Sequence, residues 1–163
     1  MVAELIPLDW ISIVQQYGPA GLFIWNFLSG SIVPLTNEVP IAAATAFLDP
    51  FTIFVFSTIG TWLGGLTNYY IGSKGVHNWL VKRDPKTEKR AQEFFKKWGE
   101  VLYLIIPYLP FIGDPILIVA GIARADFKRF LALTLVGKAL KVALFILAGR
   151  AILGWFGVPI PSV

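Results

Sequence analysis

The sequence predicts an all-α integral membrane protein. Its plan is two inverted repeats, each a re-entrant helical hairpin plus a spanning helix, joined by a basic amphipathic interfacial helix. Three observations predict this. Residues 10–37 and 50–73 carry no charged side chain, and both runs exceed the ~18 residues that suggest a membrane-spanning helix. Two proline-flanked acidic residues, Glu38 and Asp114, interrupt the apolar sequence. Eight of the fourteen Lys and Arg fall within residues 74–98.

Composition sets the outer bounds. The 163 residues are 56% hydrophobic and 15% charged, against roughly 25% charge in a soluble domain. They read as one membrane domain, 1–163, divided as 1–17, 18–73, 74–98 and 99–155. Met1-Val2-Ala3-Glu4 has no basic n-region, so no secretory signal is expected. There is no cysteine and a single histidine, His77. Disulfides and thiolate catalysis are excluded, and no metal or cofactor is expected, because zinc and haem sites need several soft or imidazole ligands. The net charge of +4 is read as basic residues facing anionic lipid headgroups. No basic segment carries a groove-reading motif, so nucleic acid is not expected as a partner.

The elements follow in order. Asp9 can cap a short helix over 9–17, with Trp10, Val14 and Tyr17 on one face and an interfacial position suited to the aromatics. Gly18-Pro19 ends it. Residues 19–32 are apolar but short for a span. Pro34 and Pro40 then remove two backbone donors and disfavour helix just before each. Ile41–Leu48 is a second short apolar piece, ending at Asp49-Pro50. Residues 51–73 form a full span.

Residues 74–98 are the basic connector. Asp84-Pro85 is a helix start, and Ala91, Phe94, Phe95 and Trp98 recur at helical spacing among Lys and Arg, as in an interfacial helix. The second half repeats the plan. Pro107, Pro110 and Gly113-Asp114-Pro115 break residues 101–123, and residues 130–152 form the last span.

Charge chooses between two topologies. If residues 101–123 crossed fully, the basic clusters at 74–98 and 124–129 would lie on opposite sides, against the positive-inside rule. If 101–123 dips in and returns, eleven basic residues share one side. The re-entrant reading is preferred, since irregular backbone is tolerated where protein or a wet cavity surrounds it. The same logic makes residues 19–48 a hairpin entering from the opposite face. Glu38 to Phe51 and Asp114 to Phe127 are both thirteen residues. Broken helices in inverted repeats are a transporter plan. Residues 74–98 and 124–129 are then cytoplasmic and both termini lie opposite.

Three stretches occur in a recognisable order: Pro34-Leu-Thr-Asn-Glu38; Gly60-x3-Gly64-x3-Asn68-Tyr69-Tyr70-Ile71-Gly72; and Pro110-x2-Gly113-Asp114-x6-Gly121 with Phe127-x2-Phe130. Together they resemble the DedA superfamily, also called SNARE-associated or VTT proteins, and most of all its small YqaA-like branch. The resemblance covers roughly residues 18–150. It implies opposed re-entrant hairpins, lipid translocation by flippase or scramblase activity, and residence in a prokaryotic plasma membrane. Proton coupling is implied for the bacterial branch. The chain departs from the pattern. Ser29 stands where many members carry Glu. The second hairpin lacks the Arg-x2-Pro-x2-Arg motif, reading Pro107-x2-Pro110-x2-Gly113 instead. The usual phosphate-binding arginines therefore cannot be carried over. Gly137-Lys138-x2-Lys141 remains.

Glu38 and Asp114 are the candidate proton- or ion-coupling residues. A carboxylate at the centre of a span costs ~2.5–3.5 kcal/mol on insertion scales, so each should face a partner or water. Each could instead simply cap a broken half-helix. Lys138 and Lys141 are three apart and share a helix face. They could draw in a lipid phosphate, or only pair with the two acids. Arg124, Lys128 and Arg129 are candidate headgroup contacts. Pro34, Pro40, Asn68, Tyr69, Pro110 and Gly113 are candidate cavity or packing residues. Gly60, Gly64 and Gly65 have the spacing of close helix packing. His77 is expected to be solvated in the basic connector.

The expected function is a membrane lipid transporter that moves phospholipid or polyprenyl-phosphate headgroups. The alternatives are a structural or assembly protein without transport, or a membrane lipid-phosphate enzyme. The last has no nucleophile–base pair or metal cluster behind it, so the chain is not expected to be an enzyme. With only two full spans to wall a cavity, a homodimer is expected.

Overall fold

Turn residues and acidic caps divide the chain into helices. The structure, a computed structural model, describes residues 10–31, 35–84, 86–98, 101–109 and 113–157. Among these residues there is no strand.

Helix α1 (Trp10–Tyr17) turns into α2 (Pro19–Gly30) at Gly18, whose φ of 56° lies in the left-handed region that glycine enters freely. Asp9 lies outside the described residues. The amphipathic face of α1 is covered in part. Val14 is buried with Leu22, Ile41, Ala44, Ile53, Val142 and Ile146, and Trp10 packs beside them, while Tyr17 is exposed. A β-carbon at Gly21 would strike the Ile13 carbonyl, which is how close α1 and α2 lie.

Helix α3 (Glu38–Ala44) opens on Glu38, with Pro40 in its first turn where no helical N–H is lost. Asp49 starts α4 (Pro50–Tyr70) by accepting a hydrogen bond from the Thr52 N–H at 2.8 Å, and Pro50 follows at the first helical position. Helix α4 does not stop at residue 73. It continues through a π-helical stretch (Ile71–Val76) into α5 (His77–Arg83). The physical reason is the absence of a strong breaker before Asp84. That aspartate accepts from the Lys86 N–H at 3.0 Å at the start of α6 (Lys86–Trp98).

The second half has α7 (Val101–Ile105), a 3-10 turn (Ile106–Tyr108), α8 (Gly113–Ile122) and α9 (Phe127–Trp155). Asp126 caps α9, accepting from the Arg129 N–H at 3.0 Å. Helix α9 has 29 residues, and the apolar helix Pro50–Gly75 has 26. At ~1.5 Å per residue each exceeds the ~30 Å of a bilayer core.

Helices α4 and α9 run antiparallel. Ile53 near the start of α4 shares a core with Val142 and Ile146. Tyr69 near its end packs on Phe130, with ring centroids 4.5 Å apart and the rings tilted by 34°. Tyr70 and Phe127 meet at 5.9 Å, so the chain that leaves α4 returns to the same end before α9 begins. Among the described residues three apolar clusters result, the two larger lying along this pair. One contains Val14, Leu22 and Ile41. The other gathers Tyr69, Leu102, Tyr103, Ile106, Leu117, Ala120 and Phe130.

The minor helices attach to the two long ones in a crossed pattern. Helix α2 packs on α4 and α7 on α9, each on the long helix of its own half; α3 packs on α9 and α8 on α4, each on that of the other half. Glycines mark the four contacts. Gly60 faces Phe23, Asn26 and Phe27 on α2, and Gly137 faces Tyr103, Leu104 and Pro107. Twelve residues further along each long helix, Gly72 meets Ile118 on α8 and Gly149 meets Ala42 on α3. Ala42 and Ile118 each lie four residues after Glu38 and Asp114.

Candidate functional site

The middle of the α4–α9 pair is polar where its two ends are apolar. Ser57, Thr58 and Thr61 of α4 are buried, and so are Thr134 and Lys138 of α9. Thr61 and Thr134 return their hydroxyls to helical carbonyls four residues back, the usual way such groups are satisfied inside helices. Thr58 Oγ1 is buried without a hydrogen-bond partner among the described residues.

Lys141 comes from the same face of α9 as Lys138. Its Nζ lies 2.6 Å from Glu38 Oε1 and 3.2 Å from Asn37 Oδ1. The backbone N–H of Asn37 donates to the other carboxylate oxygen of Glu38 at 3.0 Å. Glu38 is thus gripped from both oxygens at the first turn of α3. The side chains are 13% and 27% exposed, so the pair is shielded yet open along one side. A charge-assisted bond this short is among the stronger polar contacts a protein makes.

The approach to this tip is fixed from α2 and α4. Trp25 Nε1 donates to the Thr36 carbonyl at 3.0 Å. Asn68 Nδ2 donates to the Gly30 carbonyl, at the end of α2, at 3.1 Å. Asn68 therefore holds one side of the first break, and Pro40 is buried beyond it. Pro34 and Pro110 lie outside the described residues.

Asp114 is described in its backbone alone, as the second residue of α8. Gly113, before it, is buried, and a β-carbon there would collide with the Ile106 carbonyl. Three residues on, Leu117 Cδ1 would be 3.0 Å from a β-carbon on Gly65, and Lys138 Nζ would be 3.4 Å from the same point. The start of α8 and the Lys138 ammonium therefore converge on one place along α4. The two lysines serve different neighbourhoods: Lys141 the tip of α3, Lys138 the junction of α4, α8 and α9.

One expected placement needs correction. His77 is not solvated. It is 4% exposed, with Nδ1 3.1 Å from the Ile122 carbonyl and Nε2 3.7 Å from Glu88 Oε2. The unbroken helix beyond Lys74 carries it against the end of α8. Tyr69, a candidate cavity or packing residue, is packed in a core. Its hydroxyl donates to the Ala125 carbonyl at 2.8 Å and its ring packs on Phe127 and Phe130, which ties α4 to the α8–α9 turn. Arg124, Lys128 and Arg129 are exposed around that turn, with Arg124 at a φ of 50°.

Asn37 is the site residue that sequence reasoning missed. An Asn just before a helical run signals an ordinary cap, and nothing in the sequence says that its amide turns to a lysine 104 positions away.

The VTT domain family matches residues 33–151 of this chain. Inner membrane protein YqaA of Escherichia coli is 28% identical over 122 residues, 74% of this chain and 82% of that protein. Undecaprenyl phosphate transporter A of Staphylococcus aureus is 26% identical over 159 residues, 88% of this chain and 78% of the relative. A protein of Haemophilus influenzae is 30% identical over 139 residues, covering 78% of this chain and 85% of its own. No solved structure matches.

Proposed function

The chain belongs to the VTT domain family, and from that premise we propose that it moves lipid phosphate headgroups across a bilayer. The observation that carries the reading is the Glu38–Lys141 pair, an ion pair with N···O at 2.6 Å placed halfway along an apolar helix of 29 residues. Charges at such depth are costly unless paired and mark ion or substrate paths. The relative named as an undecaprenyl phosphate transporter supports a lipid phosphate as cargo, a phospholipid or a polyprenyl phosphate.

In the proposed arrangement residues 19–48 and 101–123 are hairpins that enter from opposite faces and meet near the midplane. The crossed attachment of α3 and α8, with equally spaced glycines, supports two related halves of inverted topology. Residues 74–98 and 124–129 face the cytoplasm, and both termini face the other side. Arg124, Lys128 and Arg129 gather anionic headgroups at the cytoplasmic surface. The phosphate enters between the tips while its acyl or prenyl tail stays in the lipid. Lys141 leaves Glu38 for the phosphate, and Glu38 takes up a proton or another cation meanwhile. Lys138 and Asp114 perform the matching exchange at the second tip. Two spans make a thin wall, so the working unit is a homodimer in the membrane. No covalent step on the lipid is proposed.

The test is flux of fluorescent phospholipid and of polyprenyl phosphate in proteoliposomes, with and without a proton gradient. Flux of either lipid by the native chain, lost in Glu38→Gln and in Lys141→Met, is expected. No flux of either lipid, with altered stability in the variants, would instead support an assembly role. Release of inorganic phosphate from a labelled lipid phosphate would make it an enzyme.

A further inference from the structure

We propose that Asn37 is a positioning residue: it keeps the Lys141 ammonium at the tip of α3 while Glu38 is uncharged, so that a phosphate meets a cation already in place. The inference rests on the lipid-phosphate reading above and names a residue of the same site.

Asn37 is the residue before α3, where an Asn side chain ordinarily accepts a helix N–H. Here it makes no such bond. Its amide oxygen instead accepts from Lys141 Nζ at 3.2 Å, and its own N–H donates to Glu38 Oε2 at 3.0 Å. The side-chain assignment is forced by chemistry, since an ammonium only donates and must meet the oxygen of the amide. Asn37 is 8% exposed, so its bond is not with a freely solvated group.

The two holds on Lys141 differ in kind. Glu38 holds it by charge, and loses that hold when it takes up a proton. Asn37 is neutral at every pH, so its hydrogen bond survives that step and leaves the positive charge uncancelled. An ammonium has three donors. The tip uses two of them, and the third is the one a phosphate oxygen takes. Without Asn37, neutralising Glu38 would free a four-carbon side chain to leave the tip. The charged groups near this exchange are few. Helix α3 supplies Glu38; α9 carries Lys128, Arg129, Lys138 and Arg150 besides Lys141, with Arg150 next to the Gly149 that meets α3; Asp114 is the only charged residue of α8; α1, α2 and α4 carry none. The preceding residue is itself fixed, through the Thr36 carbonyl and Trp25.

The experiment is a double-mutant cycle in the full chain in lipid vesicles, reading the rate at which an amine-reactive reagent labels Lys141. Glu38→Gln alone should raise that rate at most two- to three-fold. Adding Asn37→Ala should raise it at least ten-fold further, whereas Asn37→Gln, which keeps a neutral amide oxygen, should restore at least part of the protection. Flux of polyprenyl phosphate should fall in parallel, with the pH profile of Asn37→Ala displaced from that of the native chain. Equal labelling of Glu38→Gln with and without Asn37→Ala overturns the proposal, as does failure of Asn37→Gln to give any protection. Absence of flux in the native chain, with labelling as expected, overturns the transport reading alone and leaves the hold on Lys141 standing.

Discussion

The ammonium of Lys138 fills the space that Gly65 leaves beside α4. A β-carbon on residue 65 would stand 3.2 Å from Lys138 Cε, 3.4 Å from Nζ and 3.0 Å from Leu117 Cδ1. Three helices meet there, and a glycine is what allows a lysine to be the third side chain. Gly65→Ala should be tolerated, because a flexible lysine tail and a leucine methyl can each give by a few tenths of an ångström. Gly65→Leu should displace the ammonium and cost about 1–3 kcal/mol by overpacking. Thermal unfolding in detergent checks the stability difference. Flux should follow Lys138, so that Gly65→Leu and Lys138→Met lose it alike.

The Glu38–Lys141 pair predicts a split between stability and transport. Removing one partner of a buried pair leaves a charge without compensation, whereas removing both is often neutral. Lys141→Met should therefore destabilise, by less than the ~3–5 kcal/mol of a fully buried pair, because Glu38 is 27% exposed. The double variant Glu38→Gln/Lys141→Met should regain most of that stability and none of the flux. A double variant less stable than either single one would show that the pair contributes more than it costs to bury.

The caps predict how stability responds to acid. Asp126 is held below its ordinary value of 3.8 chiefly by the Arg129 N–H, and Asp49 below the same value chiefly by Thr52. A depressed carboxylate contributes stability that is present above its unfolded pKa and lost as pH falls through its folded one. Between pH 5 and 8 the contribution should be flat, since both carboxylates stay ionised across about that range. Asp126→Asn should leave unfolding temperatures nearly parallel to the native chain there and flatten the decline below pH 4. Any change of flux near neutrality must then come from other groups.

Tyr69 predicts a local effect. Tyr69→Phe keeps the ring contact with Phe130 and removes one hydrogen bond to the Ala125 carbonyl, worth about 1 kcal/mol. The α8–α9 turn should loosen, and trypsin should cut after Arg124 several-fold faster. Unchanged cleavage would mean that the ring alone holds the turn.

Much of this architecture is legible in the sequence, for identifiable reasons. Asp49-Pro50 marks a helix start because an aspartate can accept a first-turn N–H and proline has none to lose. The breaks before Glu38 and Asp114 are written in prolines. The spacing of Lys138 and Lys141 places them on one face. What could not be read depends on contacts distant in sequence. Nothing local says that α3 crosses to α9, that Asn37 prefers a lysine to its own helix, or that Tyr69 reaches Ala125. His77 lies against the end of α8, although charge density suggests a wet connector. Helix continuity decides instead, and Gly72 and Gly75 do not break a helix held by α8.

The crossed attachment of the minor helices also sets an order of events in biosynthesis. Glu38 and Lys141 are separated by 103 positions. At ~5–20 residues per second of synthesis, the acid is made roughly 5–20 s before its cation. During that interval α3 has no α9 to lie against, and α2 with α4 must hold the first half alone. Insertion of the nascent chain therefore leaves an acidic arm waiting at the membrane.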